Sequence, residues 1–128
     1  MKVLLDTHAF LWFINGSDRL SLRARETIEE PSNHRYLSIA SLWEISIKIS
    51  LDRLKIEMSL RDLVERQVVD NDIQILHINS HHLERLSQLQ FYHKDPFDRL
   101  IISQGLVEEI SIITKDTLFF QYSVSTLW

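Results

Sequence analysis

Cysteine is absent from the chain. That removes a disulfide framework and a thiolate metal site, and it fits a reducing, cytoplasmic setting. Only two glycines occur. Neither G-x-G-x-x-G nor G-x-x-x-x-G-K-[ST] is present, so loops that cradle nucleotide phosphates have no support. Apolar runs stay far below the roughly 18 residues that cross a bilayer. Asp6 falls between the longest of them, Val3–Leu5 and Ala9–Ile14, and an acid there argues against a secretory signal. Excess positive charge is missing as well. The formal net charge is −4, which is wrong for a general nucleic-acid coat. No low-complexity tract, fixed-period repeat or Pro/Gly-rich linker interrupts the chain.

What remains is 128 residues, 45% of them hydrophobic, which suits one domain with one core over residues 1–128. Short apolar runs predict strands at Lys2–Leu5, Tyr36–Ile39, Ile73–Ile78 and Ile110–Thr114, with a last one around Val124. Helical signals lie between them, at Ala9–Ile14, Leu22–Glu30, Leu60–Val69 and His82–Leu89. A further helix opens at Asp95-Pro96 and runs to about Val107. Asn15-Gly16 and Pro31 act as stops. Residues 43–51 alternate strictly, as a strand would, but Ser41 and Glu44 form the S-x-x-E of a capping box. A helix over 41–51 is the better reading, buried on two sides between the sheet and a partner. Strands alternating with helices predict an α/β fold with a mainly parallel central sheet flanked by helices in three layers. Ligands of such sheets bind beyond the carboxyl ends of the strands.

Acids stand at that edge. Asp6 ends the first strand, Glu44 lies in the helix after the second, and Asp116 follows the fourth. Asp98 sits in the first turn of the helix that opens at Asp95-Pro96. Each has a purely structural explanation. Asp6 and Asp116 can cap helices, and Glu44 can complete a capping box and pair with Lys48. Asp95 is fully explained as an N-cap before proline, with an ion pair to Arg99. Asp98 gains little from its helix and is the better ligand candidate. Together, carboxylates at one edge repel each other by roughly 3 kcal/mol per pair at about 5 Å. Protonation, paired cations or a hard ion such as Mg²⁺ or Mn²⁺ would relieve this.

L-L-D-T-H at 4–8, S-L-W-E-I at 41–45, D-P-F-D-R at 95–99 and T-K-D at 114–116 together resemble the PIN-domain family, in particular its VapC-type ribonuclease toxins. The resemblance covers nearly the whole chain. It implies a metal-dependent endoribonuclease in which Asp6, Glu44, Asp98 and Asp116 bind Mg²⁺ or Mn²⁺, with Asp95 at the edge of the site. It also implies a homodimer and a cognate antitoxin that fills a groove near the acids. On this reading Glu44 orients or deprotonates the attacking water, Thr7 and Thr114 orient the acids, and cleavage leaves a 5′-phosphate and a 3′-hydroxyl. Lys48, Arg99 and Lys115 are candidate phosphate contacts, although Lys48 and Arg99 each have an acid to pair with and Lys115 can simply be solvated. Two features depart from the family pattern. The turn after the helix at 41–51 reads S-L-D-R-L without a glycine, and Ser103-Gln104-Gly105 replaces the usual A-Q-A.

Other readings fit less well. An aspartyl phosphatase wants D-x-D where Asp6-Thr7-His8 stands. A phosphoacceptor receiver domain wants an acidic pair as well as Lys115. A PIN-like module that only binds RNA or protein would be favoured by loss of an acid, and none is lost. Among the histidines, His8 can touch substrate or serve its helix turn, His81-His82 lacks zinc-ligand spacing, and His93 is expected to be a loop residue. Phe10, Trp12, Phe13 and Trp43 are expected in the core or an interface.

Overall fold

The first strand, β1 (Lys2–Leu5), buries Val3, Leu4 and Leu5 completely. A strand apolar on both faces belongs in the middle of a parallel sheet covered on both sides. The computed structural model, which describes all 128 residues, places it there. The five strands run in the order β3-β2-β1-β4-β5, and all pairs are parallel. The others are β2 (His34–Ser38), β3 (Ile73–Leu76), β4 (Ser111–Ile113) and β5 (Thr126–Leu127).

The period of two along β1 sorts the core into layers. Val3 and Leu5 join Leu37 and Ile113 against Phe10, Ile28, Ile45 and Leu63. Those residues come from α1 (Thr7–Ile14), α2 (Leu22–Glu29), α3 (Ile39–Ser50) and the start of a π-helical stretch, Leu63–Val69, that follows α4 (Leu60–Asp62). Leu4 and Ile112 face the other side, where Ile101 and Ile102 of α6 (Pro96–Glu108) pack with Phe119 and Tyr122 of a 3-10 turn, Thr117–Tyr122. Helix α5 (Ser80–Gln88) covers that side, packed beside α6.

Several element boundaries differ from the sequence expectation, each for a local reason. Helix α1 begins at Thr7 because Asp6 caps it, accepting the Ala9 N–H at 2.8 Å. The second strand shifts to His34–Ser38 and runs straight into α3, whose cap is Ser38, not Ser41. The expected Ser41–Glu44 capping box is therefore not formed. Ser41 lies inside the helix, where its Oγ accepts the Thr7 hydroxyl at 2.9 Å. The turn after α3 needs no glycine, since Asp52 takes the left-handed conformation at φ 54°, which aspartate tolerates better than most residues. Strand β5 lies at Thr126–Leu127, not around Val124, which packs into the core. The Ser103-Gln104-Gly105 run is also structural. Ser103 donates to the His82 carbonyl, and Gln104 accepts from Ser38 Oγ at 2.5 Å, tying α6 to the carboxyl end of β2.

Helix α3 buries Leu42 and Ile45, but Trp43 and Leu51 remain 55% exposed. Gly105 is where α6 comes closest to the sheet. A Cβ there would stand 2.8 Å from Ile112 Cδ1 and 3.1 Å from Val124 Cγ2. Both neighbours are buried, so Gly105→Val should overpack this contact and destabilise the fold by roughly 1–3 kcal/mol. Urea denaturation would show it; an unchanged midpoint would mean the α6–β4 contact is loose.

Candidate functional site

Neighbouring parallel strands set two acids side by side. Leu5 of β1 is in register with Ile113 of β4. Asp6 follows Leu5 and extends the ladder by donating its N–H to the Ile113 carbonyl at 3.1 Å. Asp116 comes three residues after Ile113. Its N–H is held by Thr114 Oγ1 at 3.0 Å, and its Oδ1 accepts the Leu118 N–H at 2.9 Å. The Thr114 side chain also lowers the Asp6 carboxyl against the effect of burial, so one threonine bears on both acids.

The other two arrive on helices. The Thr7–Ser41 hydrogen bond fastens α1 to α3 one turn before Glu44. Glu44 is buried apart from one edge, and its Oε2 lies 3.0 Å from Lys48 Nζ. The expected Glu44–Lys48 pair is thus present. Asp98 is aimed by Asp95, whose Oδ1 caps α6 by accepting the N–H groups of Phe97 at 2.8 Å and Asp98 at 3.1 Å.

The four acids feel one another. Burial pushes the Asp98 carboxyl up to about 7, and the charges of Asp95, Asp6 and Glu44 add to that while His93 opposes it. Asp6 is also raised, first by burial and in small part by Asp116, against the lowering hydrogen bonds from Thr114 and the Ala9 amide. Burial and like charge thus hold both carboxyls above their usual range.

Sequence reading missed one member. His93 is a loop residue but a buried one, and its Nε2 lies 2.8 Å from Asp116 Oδ2 and 3.2 Å from Asp98 Oδ2. The only sequence signal was its place two residues ahead of Asp95-Pro96. Among the candidate cations, Arg99 is corrected by the structure. It makes no ion pair with Asp95. It is buried, donating to the carbonyls of Gln90 at 2.8 Å and His93 at 3.4 Å and lying 3.9 Å from the Phe91 ring centroid. The loop from Leu89 to His93 turns its carbonyls inward, and the guanidinium is spent on satisfying them. Lys115 is exposed and forms no ion pair. His8 stacks on Trp12, and His82 is buried within the α5 cap and 2.9 Å from Glu108.

The donor set suits a hard divalent cation: carboxylate oxygens of Asp6, Asp98, Asp116 and Glu44, with no thiolate in the chain. One side-chain nitrogen or oxygen from each of His93, Asp98 and Asp116 lies within 4.8 Å of the others.

Residues 3–124 match the family model described as PIN domain. The chain belongs to the PIN domain family. No curated protein matches its sequence significantly. Solved structures share the fold at low identity. VapBC2 from Rickettsia felis, bound to a DNA fragment from its promoter, is 14% identical with a TM-score of 0.74, over 99% of this chain and 98% of that one. FitAcB from Neisseria gonorrhoeae is 17% identical at 0.70, over 98% and 96%. VapBC-1 from nontypeable Haemophilus influenzae is 15% identical at 0.69, over 99% and 97%. In this PIN chain the sheet order turns back on either side of β1, so the acids at the ends of β1 and β4 occupy the topological switch point where such sheets bind ligands.

The raised Asp98 carboxyl has a thermodynamic consequence. Between about 4, where the unfolded chain ionises, and about 7, the folded chain holds the extra proton. Stability of the metal-free protein therefore falls as pH rises through that window, by up to about 4 kcal/mol from this group. Asp98→Asn removes the penalty. In EDTA it should melt above the wild type at pH 8, with the gap closing toward about pH 4. A gap independent of pH would mean that Asp98 ionises normally.

Proposed function

We propose that this PIN chain is the toxin of a toxin–antitoxin pair and acts as a metal-dependent endoribonuclease. The observation that supports this reading is that Asp98 and Asp116 offer carboxylate oxygens within 4.8 Å of one another, with the charges of Asp6 and Glu44 also felt at Asp98 and that of Asp116 felt at Asp6. Structures of VapBC and FitAcB, which share the fold, support the toxin assignment.

Asp6, Asp98 and Asp116 would hold Mg²⁺ or Mn²⁺. The bound ion supplies water activation and charge compensation at the phosphodiester. Glu44 takes the proton of the attacking water, with Lys48 at 3.0 Å fixing its carboxylate. The water oxygen bonds to phosphorus, the bond to the 3′-oxygen breaks, and that oxygen takes a proton from solvent, so the products are a 5′-phosphate and a 3′-hydroxyl. Thr114 keeps Asp6 and Asp116 in register, and Thr7 keeps α3 in place behind Glu44. Asp95 serves as the cap that orients Asp98. Of the three cations considered as phosphate contacts, Lys115 is the one free to act.

The test is cleavage of a mixed RNA pool by antitoxin-free protein, with Mn²⁺ or Mg²⁺ against EDTA. Cutting should require the ion, and Asp6→Asn, Asp98→Asn and Asp116→Asn should each lower it at least about 100-fold, the equivalent of a few kcal/mol of lost charge stabilisation. Cutting that survives EDTA and Asp98→Asn would sink the assignment.

The exposed Trp43 on α3, with Phe97 packed edge-on to it at a centroid distance of 5.0 Å, forms an apolar surface next to Glu44. It suits a protein partner, either the antitoxin or a second copy. Replacing the aromatic anchor by charge, Trp43→Glu, should weaken antitoxin binding about 30-fold or more, read by calorimetry, without unfolding the chain. Unchanged affinity would move the interface elsewhere.

A further inference from the structure

His93 is held more rigidly than a loop residue needs to be. Its N–H donates to Tyr122 Oη at 2.7 Å, its carbonyl accepts from Arg99, and its ring stands edge-on to Phe119 at a centroid distance of 5.8 Å. The Asp95 N–H lies 3.2 Å from Nδ1. A backbone N–H can only donate, so Nδ1 must present its lone pair. The ring proton is thereby assigned to Nε2, the atom 2.8 Å from Asp116 Oδ2. A nitrogen that carries a proton donates; it does not ligate a metal.

Asp116 is consequently pinned at both oxygens, Oδ1 by the Leu118 amide and Oδ2 by His93. Each oxygen keeps a further lone pair for another partner. Asp98 Oδ2, at 3.2 Å from the same nitrogen, is placed on the same side of the ring.

We propose that His93 is the positioning residue of the acid cluster: a fixed Nε2–H donor that orients Asp116, and with it the Asp98–Asp116 pair, toward a divalent cation it does not itself bind. This rests on the reading of the acids as a metal site. The ring takes its tautomer from the Asp95 amide, so the backbone of the D-P-F-D-R motif controls a carboxylate that lies in a different segment. Outer partners of this kind typically set metal affinity within 10- to 100-fold.

The test uses the full chain. Nitrogen-15 NMR of metal-free wild type reads the tautomer directly, and the proton should be on Nε2. Mn²⁺ binding is then titrated by EPR, and Mg²⁺ by competition, for wild type, His93→Phe and His93→Gln. His93→Phe keeps an aromatic ring against Phe119 but has no donor. His93→Gln restores an N–H. His93→Phe should weaken both ions by the same factor, about 10- to 100-fold, and His93→Gln should recover a large part. Pulsed EPR of the wild-type Mn²⁺ complex should show no directly bound nitrogen. A proton on Nδ1, a directly bound nitrogen with a loss confined to Mn²⁺, or His93→Phe binding within about twofold of wild type would each overturn the proposal while leaving the metal site intact. Failure of wild type to bind either ion would overturn the metal reading and this one with it. The two wild-type measurements decide the matter even where a variant does not fold.

Discussion

A carboxylate accepting a backbone amide at the start of a helix or turn is the interaction on which the rest of the molecule depends. Asp6 accepts Ala9 N–H, Asp95 accepts Phe97 and Asp98 N–H, and Asp116 accepts Leu118 N–H. Each bond satisfies an amide that a helix or turn leaves without an internal partner. Each also fixes a negative charge at one end of the sheet. Structural capping and charge clustering are here the same bonds seen from two sides. The choice posed by the sequence between cap and candidate ligand is therefore not exclusive for Asp6 and Asp116. For the pair in D-P-F-D-R the two tasks are divided: Asp95 caps, and its cap sets the position of Asp98.

The parallel sheet makes this concentration of charge possible. Parallel pairing puts every strand's carboxyl end on one edge, so whatever follows β1, β2 and β4 must meet there. Repulsion between those groups is opposed by the buried apolar residues just behind them, Leu5, Leu37 and Ile113. It is relieved locally in three ways: Lys48 beside Glu44, the His93 N–H beside Asp116, and a proton retained on Asp98 up to about 7. The site is thus destabilising by itself and is held in shape by the fold around it, the usual relation between a fold and its reactive centre.

Much of this was legible in the residues. Apolar runs indicated the strands, their alternation with helices indicated a mainly parallel sheet, and Asp95-Pro96 announced its helix start. The failures share a cause. Ser41 and Glu44 have the spacing of a capping box, but Ser38 is as good a cap, and only the tertiary bond to Thr7 shows which serine is inside the helix. Arg99 has an acid at the right helical spacing. What decided its fate was a set of inward-facing carbonyls on a loop nine residues away, where Gln90 lies. His93 was unremarkable by the same logic, because its partners stand 23 residues later at Asp116 and across a proline at Asp98. Local pattern reports local bonds. Those that close the site are long-range, and no periodicity encodes them.

The charge balance bears on how an acidic chain can act on RNA at all. Each candidate phosphate contact in the sequence had an acid to pair with or could simply be solvated, and in the structure Lys48 is committed to Glu44 while Arg99 is packed against Phe91. Of the three, Lys115 remains open, and one exposed lysine contributes little against a net charge of −4. A phosphodiester approaching Asp6, Asp98 and Asp116 would therefore be repelled unless the cluster is first neutralised. Under the proposed function, cation and RNA must bind as coupled ligands, each lowering the cost of the other. The same coupling limits the chain without its cation: the acids would then exclude the phosphodiester they are placed to cut.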